Sequence, residues 1–67
     1  MNDLQTFTVM LAKSNVSFKK ERIHGGSWIV EVASLFSSSA GVFNVVTDFR
    51  FTNDGEFERI DVNKKES

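Results

Sequence analysis

The spacing of the hydrophobic residues changes once along this 67-residue chain, close to Asn15. Before that point apolar residues recur every three or four positions, which is the period of one helix face. They are Leu4, Phe7, Met10 and Leu11. After it, apolar and polar residues alternate, as is typical of strands that bury one face. The sequence therefore predicts an α+β fold in which an N-terminal helix precedes a set of strands.

Capping and turn residues indicate the bounds of these elements. We predict a helix over about residues 3–14, because Asn2 and Gln5 resemble a capping box and Asn15 suits the left-handed conformation that ends a helix. Turn residues then separate four predicted strands, at 16–23, 28–36, 42–52 and 56–62. Since the connections are short, successive strands should be antiparallel neighbours. We expect the helix to pack on a four-stranded antiparallel meander sheet.

The length of the chain allows one domain, which we place at residues 1–62, followed by a polar C-terminal tail at residues 63–67. The chain has no cysteine and one histidine, which excludes disulfides, thiolate metal sites and histidine-rich zinc sites. A core this small gives only marginal stability to a single chain, and without disulfides or a metal, dimerisation is the remaining source of stability. The sequence thus favours a homodimer.

The residues that could carry catalysis do not form a recognisable arrangement. His24 stands beside two glycines without the nucleophile spacing that a catalytic triad requires. Those glycines precede a predicted strand, whereas a phosphate-binding loop leads into a helix. The oxygen-rich turn at 53–56 lacks the twelve-residue spacing of a calcium loop. We therefore expect a protein that is not an enzyme and that uses no metal, cofactor or small-molecule substrate.

The N-terminus and the overall charge bear on location. The chain begins with an acidic segment, and its longest apolar run covers only residues 9–12. A signal peptide or a membrane span needs a much longer apolar run. A net charge of −1 provides no strong attraction to anionic lipid or nucleic acid. We expect a cytoplasmic protein that does not bind membranes.

Alternation along the strands predicts apolar residues on both faces of the sheet. One face of the third strand, expected to lie against the helix, carries Phe43, Val45, Thr47, Phe49 and Phe51. The second strand is apolar on both sides, with Trp28, Val30, Val32 and Phe36 on one and Ile29, Ala33 and Leu35 on the other. In the fourth strand Phe57 is expected opposite to Ile60 and Val62. The apolar set that no helix covers comprises Ile23, Ile29, Leu35, Val46, Ile60 and Val62.

Two interpretations of this second apolar set remain open. In a monomer, sheet twist and long neighbours such as Lys20 and Arg50 would cover it. Alternatively, the set forms a surface for a homodimer or for another protein. The residues predicted for that partner or dimer face are Ile29, Leu35, Val46, Ile60 and Val62.

The basic residues concentrate at the helix end and in the first strand, and they suggest an alternative partner. They are Lys13, Lys19, Lys20 and Arg22, with Phe18 and Trp28 close in sequence. Basic and aromatic side chains together bind single-stranded nucleic acid. However, Lys19 and Lys20 should point to opposite faces of a strand. Nucleic acid is therefore the alternative partner, after protein.

A short amphipathic helix, an edge strand and a valine-rich strand precede a glycine-aromatic step at residues 39–43, an aromatic-x-aromatic strand at 49–51 and an Asp-Gly hairpin at 53–57. In this order of elements, most of the chain resembles a recurrent type of very small bacteriophage or prophage protein. The chain departs from this type in its last strand, where Ile60-Asp61-Val62 stands in place of aromatic residues. The resemblance implies an accessory phage protein that acts by binding, often on host machinery, and it implies no catalytic residue.

Together these features predict a non-catalytic protein-binding accessory protein, encoded by a phage or prophage. It would act on itself or on a host protein through a sheet face or an acidic edge. The acidic residues of that edge are Asp48, Glu56, Glu58 and Asp61, and such a surface could imitate nucleic acid.

Overall fold

The computed structural model describes residues 1–66, and the side chains of all of these except residues 36 and 64–66. The elements follow the order α1 (Asp3–Lys13), β1 (Lys19–Arg22), β2 (Trp28–Ser38), β3 (Gly41–Phe51) and β4 (Phe57–Glu66). The strands form one antiparallel sheet in the order β1-β2-β3-β4. This confirms the predicted α+β fold, with an N-terminal helix on a four-stranded antiparallel meander.

Helix α1 begins at the predicted capping box. The backbone N–H of Gln5 donates to the side-chain oxygen of Asn2 at 2.9 Å, and the Gln5 side chain accepts from the Asn2 backbone at 3.2 Å. These two bonds satisfy amide groups that have no partner within the first turn of a helix. Asn15 has a positive φ of 58°, so the predicted left-handed residue after the helix is also confirmed.

Three further hydrogen bonds join the first turn of α1 to the turn between β3 and β4. The Leu4 N–H donates to the Gly55 carbonyl at 2.9 Å, and the Asn2 side-chain amide donates to the Asp54 carbonyl at 3.0 Å. The Phe57 N–H donates to the Asp3 carboxylate at 2.9 Å. The start of the helix is therefore held at one end of the sheet.

The core lies between α1 and that end of the sheet. Its buried residues are Leu4, Leu11, Val30 and Phe51. Half-buried neighbours include Phe7, whose ring centroid lies 4.5 Å from that of Phe49 and 5.8 Å from that of Phe51. The face of β3 that was predicted to lie against the helix does so at Phe49 and Phe51.

A β-bulge at the start of β4 determines which side chains share a face. Phe51 of β3 pairs with Phe57, but Arg50 pairs with Arg59, so Glu58 is the extra residue on β4. One extra residue reverses the inside-outside alternation for the rest of a strand. Ile60 is therefore opposite Phe49, on the helix side of the sheet.

Several strand bounds differ from those expected. Strand β1 covers four residues, because the preceding segment turns inward and Val16 and Phe18 pack against the core. Strand β2 continues to Ser38 and pairs there with Gly41, so the predicted loop at 37–41 is a two-residue turn. Strand β4 continues to Glu66 beside β3, where a polar tail was expected, and Ser67 lies outside the described residues.

A candidate protein-binding surface

The helix is much shorter than the strands beneath it. Helix α1 has 11 residues, which corresponds to about 16 Å, whereas the 11 residues of β2 or β3 extend for about 36 Å. The core contacts of α1 fall near Val30 and Phe51, at one end of the β2–β3 hairpin. The other end, residues 33–46, is called the distal hairpin below.

The distal hairpin carries apolar side chains on both faces. Ala33 is opposite Val46 on the outer face of the sheet. Leu35, two residues after Ala33, points to the same face. Val45 lies on the helix side, where α1 does not extend. Leu35 has 67% of its surface exposed, whereas Val45 and Val46 are half-buried. The described chain measures 42 × 27 × 15 Å. The shortest dimension is small because one short helix covers only part of the sheet.

The edge of the distal hairpin is also open on the β2 side. Strand β1 pairs only with residues 28–31 of β2, and Ser17 and Phe18 extend as far as a small groove beside Ala33. Within the described chain no strand lies next to Ser34–Ser38 on this side. An open strand edge presents backbone groups that can pair with another chain.

The five residues predicted to form one partner face do not share a surface. Ile29, Leu35 and Val46 lie on the outer face, but Ile60 and Val62 lie on the helix side. The bulge at Glu58 is the physical reason, because it reverses the alternation that the prediction assumed for β4. The prediction that Phe57 lies opposite to Ile60 and Val62 is wrong for the same reason.

The remaining predictions about these faces have mixed outcomes. Arg50 is directly opposite Ile29 on the outer face, and its guanidinium binds Asp61 of β4. Lys20 lies on the helix side, opposite Val30, and covers none of the outer set. Ile23 follows the end of β1 and lies in the turn to β2. The orientation predicted for Phe36 lies outside the described side chains.

An apolar groove of about 320 Å³ lies between α1 and β4, and no feature of the sequence predicted it. Its lining residues are Asp3, Thr6, Phe7, Met10, Phe49, Phe51, Phe57 and Ile60. The groove exists because the bulge places Phe57 and Ile60 on the same face of β4. Met10 on the helix side is 53% exposed.

Charged side chains occupy the outer face near the helix-covered end of the sheet. Asp61 accepts a hydrogen bond from Arg50 at 2.6 Å and a second from Arg59 at 3.3 Å. The hydrogen bond from Arg50 and the charge of Arg59 lower the pKa of Asp61 below its ordinary value. The predicted acidic edge is therefore interrupted by arginines at Asp61.

Two more carboxylates continue this row across the sheet. Asp48 is opposite Asp61, and Glu31 is opposite Asp48. One oxygen of Asp48 is buried and makes no hydrogen bond. Within residues 1–66 as described, no group of acidic or histidine side chains has the arrangement of a metal site.

The basic residues of the alternative nucleic-acid site are divided between the two faces of the sheet. Lys20 and Arg22 lie over the ring of Trp28, at 5.0 Å and 5.2 Å from its centroid. Lys19 is on the outer face, where its amine is 2.9 Å from Glu21, and this pairing raises the pKa of Lys19. The expected opposite orientation of Lys19 and Lys20 is confirmed. Lys13 is exposed at the last residue of α1.

The surroundings of the Trp28 ring limit what Lys20, Arg22 and Trp28 can bind together. Two cations already occupy positions over its ring, and Arg22 also donates to the Asn53 side chain at 2.6 Å. Stacking of a nucleic-acid base needs a free aromatic face. His24 is exposed in the turn between β1 and β2.

The helix of the described chain is too short and too polar to cross a membrane. Comparisons with protein-family models, curated proteins and solved structures find no match to this chain.

Proposed function

We propose that this chain is a non-catalytic accessory protein that binds another protein through the distal hairpin. The observation that carries the proposal is that α1 covers one end of an unusually long β2–β3 hairpin and leaves the other end without a second layer. Hydrophobic burial is the main driving force of protein association. A sheet that stays apolar on both faces where it has no cover is best explained by a partner.

The open edge of β2 specifies the kind of partner. Ser34–Ser38 can accept an extended segment as an additional strand, with main-chain hydrogen bonds providing affinity. The side chains of such a segment that point to the outer face would lie beside Leu35. The proposed partner is therefore a protein with an extended segment that has apolar residues at alternate positions.

The proposed origin of the protein is a phage or prophage, and this part rests on the sequence resemblance alone. We place the binding site on the sheet surface rather than on the acidic edge, because Arg50 and Arg59 interrupt the negative charge of that edge at Asp61, and imitation of nucleic acid needs a continuous negative surface. A protein of the bacterial host is accordingly the target to seek first.

Binding experiments with two matched variants test this proposal. Leu35→Asp places a carboxylate on the distal hairpin, and His24→Asp places the same group in an exposed turn at the opposite end of β2. A protein captured from a bacterial lysate is purified and titrated calorimetrically with wild type and with both variants. We expect at least tenfold weaker binding for Leu35→Asp and unchanged binding for His24→Asp.

Amide hydrogen exchange of the purified complex should show new protection at Ser34–Ser38. Equal affinity of wild type and Leu35→Asp for every captured protein would contradict the proposal, as would protection confined to β1 or α1.

Nucleic-acid binding through Lys20, Arg22 and Trp28 is the competing function. These three residues do lie together on one face, which is the observation in its favour. A gel shift of single-stranded DNA at low salt that weakens steeply with added salt would support it. The proposed protein-binding function predicts no shift.

A further inference from the structure

The two edges of the sheet differ in how they are protected against pairing with another chain. The β1 edge has only four residues, all charged and exposed, which is a common protection against pairing. The β4 edge is ten residues long, and its bulge lies at its first residues. The chain contains no proline that could interrupt it. In the part of the chain that the structure describes, no strand lies beyond β4.

The helix-side face of β4 bears a row of exposed apolar side chains. Phe57, Ile60 and Val62 have 49%, 50% and 64% of their surfaces exposed. Phe57 and Ile60 also form one wall of the groove beside α1, and Met10 contributes to the opposite wall. This row lies directly along an open edge, where a strand from another chain would cover it.

The outer face of β4 has charges that complement one another when two copies pair. Arg59 and Asp61 have opposite charges and flank Ile60. In an antiparallel pair of β4 strands with a two-fold axis at Ile60, Arg59 of each copy is opposite Asp61 of the other. Opposite charges on directly paired residues stabilise a sheet.

The charges also distinguish this register from its neighbour. Moving the two-fold axis from Ile60 to Asp61 would set the two Asp61 carboxylates opposite each other, and like charges in that position are destabilising. The axis at Ile60 instead brings two apolar side chains together on the helix side.

We propose that a second copy of this chain binds the β4 edge, with antiparallel pairing centred on Ile60, to form an eight-stranded sheet. The grooves beside the two helices then face each other across the two-fold axis, and the exposed Ile60 of each copy packs against Ile60 of the other. This interface uses the opposite edge of the sheet from the partner surface proposed above, so either interface can form without the other.

Charge reversal with complementation tests this pairing. Arg59→Glu gives two like-charged carboxylate pairs across the interface, and Asp61→Arg gives two like-charged basic pairs. We expect wild type to be a dimer that dissociates on dilution in light scattering, and each variant alone to be a monomer. An equimolar mixture of the two variants restores both opposite-charge pairs, and we expect it to form a heterodimer.

Controls separate this interface from a folding defect and from the other edge. Circular dichroism checks that each variant is folded, since Asp61→Arg also removes the partner of Arg50. Glu21→Lys reverses a charge on the β1 edge, and we expect it to remain dimeric.

Two results would overturn the inference. One is a wild-type protein that is monomeric throughout the concentration series; the other is a dimer that persists in Arg59→Glu or fails to reform in the mixture. Neither result bears on the distal hairpin, whose test is the effect of Leu35→Asp on a different protein.

Discussion

At the scale of single residues, Gly55 is the glycine whose surroundings leave the least room for a side chain. It is buried, has a φ of +85°, and its carbonyl accepts the Leu4 N–H. A β-carbon added here would overlap the side-chain amide of Asn2. Only glycine therefore allows the turn, the cap of α1 and the helix start to pack together.

A pair of glycine substitutions separates backbone strain from this contact. Gly25→Ala meets no neighbouring atom, so its cost is the positive φ alone, about 1–2 kcal/mol. Gly55→Ala has the same kind of strain and also displaces the Asn2 cap, which is worth about 0.5–2 kcal/mol more. Urea unfolding should show a larger loss of stability for Gly55→Ala. Equal losses for the two variants would contradict the contact between Gly55 and Asn2.

Also at the scale of single residues, Asp61 makes the stability of the fold depend on pH. Its pKa is lowered in the folded state, mainly by the hydrogen bond from Arg50. A lowered folded-state pKa contributes stability above the ordinary value of 3.8, and this contribution is lost as the pH falls through the folded-state pKa. Acid should therefore remove the contribution of Asp61.

Thermal unfolding between neutral and acidic pH measures this contribution. At neutral pH we expect Asp61→Asn to melt at a lower temperature than wild type, and we expect the difference to shrink as the pH falls below 3.8. Asp54→Asn, which removes an exposed carboxyl of the β3–β4 turn, serves as the control for loss of one negative charge. A difference between wild type and Asp61→Asn that is constant with pH would contradict the assigned ion pair.

At the scale of secondary-structure elements, the sequence was sufficient wherever the signal is local. The capping box at Asn2 and Gln5, the left-handed Asn15 and the glycine turns all depend on interactions within a few residues. The helix and the meander could therefore be predicted. The face of β3 could be predicted as well, because Phe43, Val45, Phe49 and Phe51 stand at alternate positions and three of the four residues opposite to them are polar or charged between Phe43 and Phe51.

The candidate site could not be predicted to the same extent, and the bulge explains why. A single extra residue at Glu58 reverses the orientation of Ile60 and Val62, but nothing around it in the sequence marks a bulge. The predicted partner face therefore combined residues from two opposite surfaces. The length of β1 was also missed, because only tertiary packing shows that Val16 and Phe18 turn toward the core.

At the scale of the whole molecule, the dominant feature is that the sheet extends well beyond the helix that covers it. Four hydrophobic side chains are buried in the described chain, all in or beside α1, while the strands continue well beyond them. Local stability should follow the same division, because backbone hydrogen bonds without buried neighbours open most easily. We therefore expect the distal hairpin, which is the surface proposed for binding, to open more easily than the helix-covered end of the sheet.

Amide hydrogen exchange of the isolated protein tests this account most directly. The protein is diluted until light scattering reports a monomer, and exchange is followed by mass spectrometry along β2 and β3. We predict slow exchange near Val30 and Phe51 and exchange at least tenfold faster at Ser34–Ser38. Equally slow exchange along the whole of β2 and β3 would contradict the account, because it would mean that the distal hairpin is already covered in the monomer.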